Sequence, residues 1–163
     1  LAAQEKDLTR LIAELSSILS DYPISSEEPF SEHKGRLTWP VAGTLLHDFG
    51  QPRGGSSMKW NGVVMETRRG TEVRAVYHGR VAFADWLAGM GLLVIVDHGE
   101  GYMTLYGYNE TILKKAGDWV APGDVIATVG DSGGQSEAGL YFELRSGARP
   151  VNPRAWITRR PGG

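Results

Sequence analysis

From Leu37 onward the sequence is a succession of short β-type runs, each set off by a separator that carries glycine. The runs cover residues 37–41, 59–67, 72–76, 80–86, 92–97, 102–108, 125–129 and 140–145. Between them stand GQPRGG, RRGT, HG, LAGMG, HGEG, APGD and DSGGQSEAG, several of them short enough to close hairpins. Connections this short join antiparallel neighbours, so the pattern predicts a mainly β chain built as an antiparallel sheet or a barrel-like domain. Glycine, at 22 of 163 residues against a usual share of about 7%, fits a fold rich in turns.

The first 22 residues follow another rule. Leu1, Leu8, Leu15 and Tyr22 are spaced by seven, Leu11 and Ile18 fall at the complementary positions, and Ile12 and Leu19 widen the stripe. This predicts an amphipathic helix, ended by Pro23, which cannot continue it. Two readings are open: the helix is the end of a longer coiled coil, or its apolar face docks on the domain that follows. Residues 23–36 are polar, carry two prolines and lack a hydrophobic period, and read as a linker that Phe30 could anchor. The domain proper spans 37–157, and 158–163 form a basic tail.

With 17 basic and 19 acidic residues the net charge is −2, so the chain carries no footprint for nucleic acid. It has no cysteine, hence no disulfide framework and no thiolate metal site. No apolar run reaches the ~20 residues of a membrane-spanning helix. The chain begins without Met inside a helical pattern, which reads as a piece of a longer protein with any export signal upstream.

Several longer motifs keep a shared order: WPVAG (39–43), GTEVRAVYHGRVAFADW (70–86), GLLVIVDHGEGYMTLYGY (91–108), GDWVAPGDVIATVGDSGG (117–134), LYFELR (140–145) and VNP (151–153). Through them the stretch 36–156 resembles the LytM-type zinc metallopeptidase domain, whose members cut peptide cross-links in bacterial cell walls. Active members hold zinc through the His and Asp of an HxGxD strand and the second His of an HxH strand. Two further histidines serve the attacking water and the carbonyl. A catalytic zinc needs three N or O ligands and an open fourth position, and second-position spacing in a strand aims two side chains at one face.

In this chain the HxGxD positions are Trp60 and Val64 around Gly62, and the HxH positions are Gly139 and Tyr141. The hairpin histidine is replaced by Tyr108. An indole, an isopropyl group and a hydrogen cannot ligate zinc, and a phenol with a pKa of ~10 does so only rarely. The four histidines present share no HxH or HxxxH spacing: His33 reads as linker, His78 and His98 as turn residues, and His47 stands beside Asp48. The residues therefore argue against hydrolysis, with no metal, no cofactor and no catalytic group.

The resemblance is to the murein hydrolase activators with degenerate LytM domains. It implies a periplasmic, non-catalytic activator of N-acetylmuramoyl-L-alanine amidases in daughter-cell separation. It further implies control by the FtsEX division complex through an upstream coiled coil. On this reading the altered site is an apolar and aromatic groove for a partner helix, lined by Trp60, Val64, Tyr108, Gly139 and Tyr141. Arg145 stands at its end as a clamp for a carboxylate or a helix C-terminus, with Asn61 and Met90 at the edge. The helix at 1–22, or another upstream, is a candidate to fill that groove at rest. Trp86, following an alternating strand, reads as core. The rival readings are a peptidoglycan-binding module, an active zinc endopeptidase, and a biotinyl or lipoyl carrier, the last lacking its Lys at residues 77–79 (YHG).

Overall fold

Residues 91–99 are apolar at most positions because the strand they form is covered on both faces. In the computed structural model, which describes residues 2–24, 28–55 and 57–158, Leu93 and Ile95 point to one side and Val94 and Val96 to the other, all fully buried. The same alternation runs through the neighbouring strands and divides the molecule into two apolar layers.

The strands are β1 (Thr44–His47), β2 (Val63–Glu66), β3 (Glu72–Arg74), β4 (Gly79–Leu87), β5 (Gly91–Gly99), β6 (Tyr102–Ile112), β7 (Trp119–Val120), β8 (Val125–Val129), β9 (Gly139–Ser146) and β10 (Arg149–Val151). They pair antiparallel in the order β1-β2-β9-β6-β5-β4-β7. β8 pairs with the far end of β6 and with β3, and β10 folds back on β9. The architecture is the mainly β, antiparallel one expected. Residues 37–41 are an exception: Leu37 makes a single parallel bridge to Ile157, and the segment then bends instead of forming a strand. β1, β7 and β10 had no signal, being short and lacking alternation or carrying proline.

On the first face, Leu140, Phe142 and Leu144 of β9, Tyr106 of β6 and Val94 and Val96 of β5 pack beneath the β3–β8 pair. Among the described residues, none of the N-terminal helix enters this layer. The second face is covered by α1 (Ala2–Leu19), whose Leu8 and Ile12 are fully buried against Leu93, Ile95, Met103 and Leu105. α1 is thus docked on the domain, the second of the two readings left open. Its buried face is Leu8 and Ile12, with Leu11, Leu15 and Leu19 partly buried beside them. Of the stripe expected, Ile18 and Tyr22 are solvent-exposed, so the contact runs out toward the end of the helix, and Leu1 lies outside the described residues. A broad sheet face accepts whichever aliphatic row also lets the polar positions find partners, and this row brings Glu5 to Arg53 and Asn61.

The segment expected as a linker is a packed strap. Phe30–His33 form a 3₁₀ turn and Phe30 is fully buried, stacked on Trp156 at 5.1 Å and on His98 at 4.6 Å. Trp86 is 55% exposed, contrary to its reading as core, because the second half of β4, where it stands, is no longer covered as the first half is. The basic tail lies outside the described residues from 159 onward.

His98, expected in a turn, is a buried structural group. Its Nδ1 lies 2.7 Å from the carbonyl of His78 and its Nε2 2.7 Å from Thr104 Oγ1, which is 2.8 Å from the Tyr106 hydroxyl. Burial lowers its pKa to about 4. A group that resists protonation only when folded stabilises the protein above its unfolded value of about 6.5 and ceases to do so as the pH falls toward 4. Chemical denaturation between pH 8 and pH 4 is expected to lose up to about 3 kcal/mol through this group. The His98→Gln chain is expected to follow a flatter curve, and parallel curves for the two would contradict the assignment.

Candidate functional site

Gly62 precedes β2, and a Cβ there would collide with the backbone carbonyl of Phe142 and the side chain of Glu143. This close approach of two strands accounts for a glycine between positions 60 and 64 whatever stands at those positions. Val64 pairs directly with Tyr141 across β2 and β9, and Gly107 of β6 pairs with Tyr141 on its other side. The register alone therefore brings the three site segments together.

Tyr108 adopts φ of +71°, uncommon for a residue with a Cβ. Its amide donates to the Met90 carbonyl at 2.7 Å, and its ring stacks on Tyr141 with centroids 5.5 Å apart. A backbone conformation costing about 1–2 kcal/mol is retained where it turns an aromatic ring into the groove. Burial raises the Tyr108 hydroxyl above its ordinary pKa. Trp60 forms the rim, 5.9 Å from Tyr141, stacked on His47 at 4.7 Å and lying under the Arg53 guanidinium at 4.2 Å.

Below this strip is a charged network. The Tyr141 hydroxyl donates to Glu143 Oε2 at 2.5 Å, Arg145 Nε donates to Glu143 Oε1 at 2.7 Å, and Arg145 Nη1 donates to the Ala148 carbonyl at 3.0 Å. Burial raises the Glu143 carboxyl while Arg145 and the Tyr141 hydroxyl act to lower it. Tyr141 is held well above the usual phenol range, first by burial and then by the charge of Glu143.

The structure gathers Trp60, Asn61, Val64, Met90, Tyr108 and Tyr141 around the N-terminal half of α1. Gly139 offers no side chain, and its place is set by backbone, since a Cβ would lie 2.9 Å from the Met65 carbonyl. Arg145 is on the same face but 3% exposed and turned to Glu143, which leaves Nη2 as its one nitrogen without a partner. Sequence reasoning missed Arg53, His47, Glu143 and Glu5. Glu143 was findable, since it shares the strand face of Tyr141 and Arg145; Arg53 sits in a loop whose position no local pattern gives.

The site does not fit zinc. The five positions hold a glycine and four side chains, of which only the two tyrosines are even weak ligands, and the described residues contain no group of three His, Cys, Asp or Glu side chains placed to hold a metal. Its lining is apolar and aromatic, and a helix is seated on it.

An antiparallel sheet presenting these strand positions on one face is the architecture of a LytM-type metallopeptidase domain. The chain belongs to Peptidase family M23, whose model matches residues 58–153. Among its relatives, murein hydrolase activator EnvC of Escherichia coli K12 is 48% identical over 126 residues, covering 77% of this chain and 30% of that protein. Murein hydrolase activator NlpD of the same strain is 34% identical over 123 residues, covering 75% of this chain and 31% of that one. The chain thus spans under a third of the length of these relatives. Of solved structures, a zinc-containing peptidase from Vibrio cholerae aligns with a TM-score of 0.69 at 26% identity, over 74% of this chain and 40% of that one. A putative peptidase M23 from Pseudomonas aeruginosa aligns at 0.72 and 24% identity, over 95% and 62%, a likeness of fold.

Proposed function

We propose that this chain is the regulatory module of a murein hydrolase activator, which cuts nothing itself and switches on an N-acetylmuramoyl-L-alanine amidase by holding that enzyme's regulatory helix. The observation that carries the reading is the groove. On the positions where peptidases of the fold keep their metal machinery, this chain has Trp60, Val64, Tyr108 and Tyr141, already packed against an amphipathic helix. The similarity to EnvC and NlpD supports the activator role and an envelope location, here the periplasm.

The mechanism is a shift of population. An amidase held off by a helix over its own zinc site opens when that helix gains more on this groove than on its own enzyme; only differential affinity drives the change. α1 is the resting occupant, so the groove is shut until α1 is drawn away. An upstream coiled coil coupled to the FtsEX division complex would supply that pull. Phe30 keeps the strap attached while α1 moves.

The test uses the Ile12→Asp chain, in which α1 no longer competes, with a purified amidase and dye-labelled peptidoglycan. The chain alone is expected to release no dye and to stimulate the amidase. Adding Trp60→Ala is expected to weaken amidase binding by more than about thirtyfold, the usual effect of removing an aromatic anchor. Dye release by the chain alone, or unchanged binding by a folded Trp60→Ala chain, would overturn the reading.

A further inference from the structure

α1 is more than an apolar plug. Its first turn carries Glu5, whose Oε1 lies 3.3 Å from Arg53 Nη1 and whose Oε2 lies 3.3 Å from Asn61 Nδ2. The ion pair is largely enclosed, the Arg53 and Glu5 side chains being 15% and 19% exposed. Arg53 itself lies over the Trp60 ring. Leu8 and Ile12 follow at three and seven residues, which sets them on the helical face of Glu5. The groove thus contacts a helix in a fixed order: a carboxylate at Arg53 and Asn61, then two aliphatic side chains against Leu93, Ile95 and Met103.

We infer that the groove selects its occupant by this order, and that the partner helix which replaces α1 carries an acidic residue three positions ahead of its first aliphatic anchor and seven ahead of its second. The inference rests on the reading of the groove as a helix-binding site. Its physical basis is that Arg53, held over the Trp60 ring and sheltered by an occupying helix, is left without this carboxylate when an uncharged helix binds. A helix with the acid displaced by one position would turn it about 100° off the seam. Rim charges on the partner would change little by comparison.

The experiment measures binding of a fluorescein-labelled peptide of residues 2–20 of this chain to the Ile12→Asp chain, alongside the Glu5→Gln peptide. Glu and Gln have near-equal helix propensity, and circular dichroism of the peptides checks that they match. The Gln peptide is expected to bind about tenfold more weakly. Against the Ile12→Asp chain that also carries Arg53→Met the two peptides are expected to bind alike, closing a double-mutant cycle that separates the pair from any effect on the peptide itself. Equal, measurable binding of both peptides to the Arg53 chain would refute the carboxylate rule and leave the groove standing. Binding by neither would remove the groove reading and the rule with it. Elution of the parent chain as a dimer that Ile12→Asp dissociates would assign the groove to α1 of a second copy and overturn the partner assignment.

Discussion

Ile12→Asp is expected to raise the apparent affinity of this chain for an external groove-binding helix by about a hundredfold while the sheet domain stays folded. Ile12 is wholly buried between α1 and β5–β6, and burying such a side chain is worth about 1.5–3 kcal/mol. An aspartate there forfeits that gain and adds the cost of an unpaired charge in an apolar layer, so α1 leaves the groove. Among the described residues the main core contains none from α1, and Phe30 still anchors the strap, so release costs only the outer layer. A groove shut by roughly 3 kcal/mol is free less than about 1% of the time, and an external helix meets that fraction as a loss of apparent affinity. Titration of the labelled 2–20 peptide into parent and variant, with hydrogen exchange across residues 2–19 to confirm release, measures it. Equal affinity in the two chains, with α1 shown to be detached, would mean that α1 does not block the site.

The second large effect concerns the network beneath the strip. Arg145→Leu is expected to cost about 3–5 kcal/mol, since it leaves the fully buried Glu143 carboxylate with only the Tyr141 hydroxyl as partner. At the size of this chain that lowers the melting temperature by roughly 6–20 °C. Without the guanidinium the Glu143 carboxyl rises further above its unfolded value. A raised carboxyl pKa means stability present at low pH and lost as the pH rises, so the gap between parent and Arg145→Leu is expected to narrow on acidification. Glu143→Leu combined with Arg145→Leu removes both charges and is expected to recover much of the loss. Thermal melts at neutral and acid pH decide it; a gap that is constant with pH, or a double variant no better than the single, would show that the pair is not what is lost.

These two effects mark where local pattern stops being informative. Strands β4, β5, β6, β8 and β9 were legible from short apolar runs between glycines, and the replacement of every metal position was legible from WNGVV, YGY and GLYFE. β1, β7 and β10 were not, because two- to four-residue edge strands are made by their neighbours. Arg145 was placed on the right face by strand periodicity, yet its pairing with Glu143 and the burial of both arise only in the assembled sheet. His98 and Phe30 looked like turn and linker residues and proved to be stacked partners in the core. Arg53 and Glu5, 48 residues apart, met only through the docking of α1.

The sequence by itself determined the kind of chain this is: a β domain of the LytM type, its metal positions given over to aromatic and aliphatic groups, preceded by an amphipathic helix. Those facts lie in residue identity and in periods of two and of three to four, which are local. Only the tertiary structure decided which stripe of the helix is buried, that it lies across the altered site, and that Glu5 meets Arg53 and Asn61 there. The burial of an amphipathic face is driven by the hydrophobic effect, which has no direction of its own. The direction comes from the shape of the sheet face and the few polar groups at its rim, and neither exists until distant strands have paired.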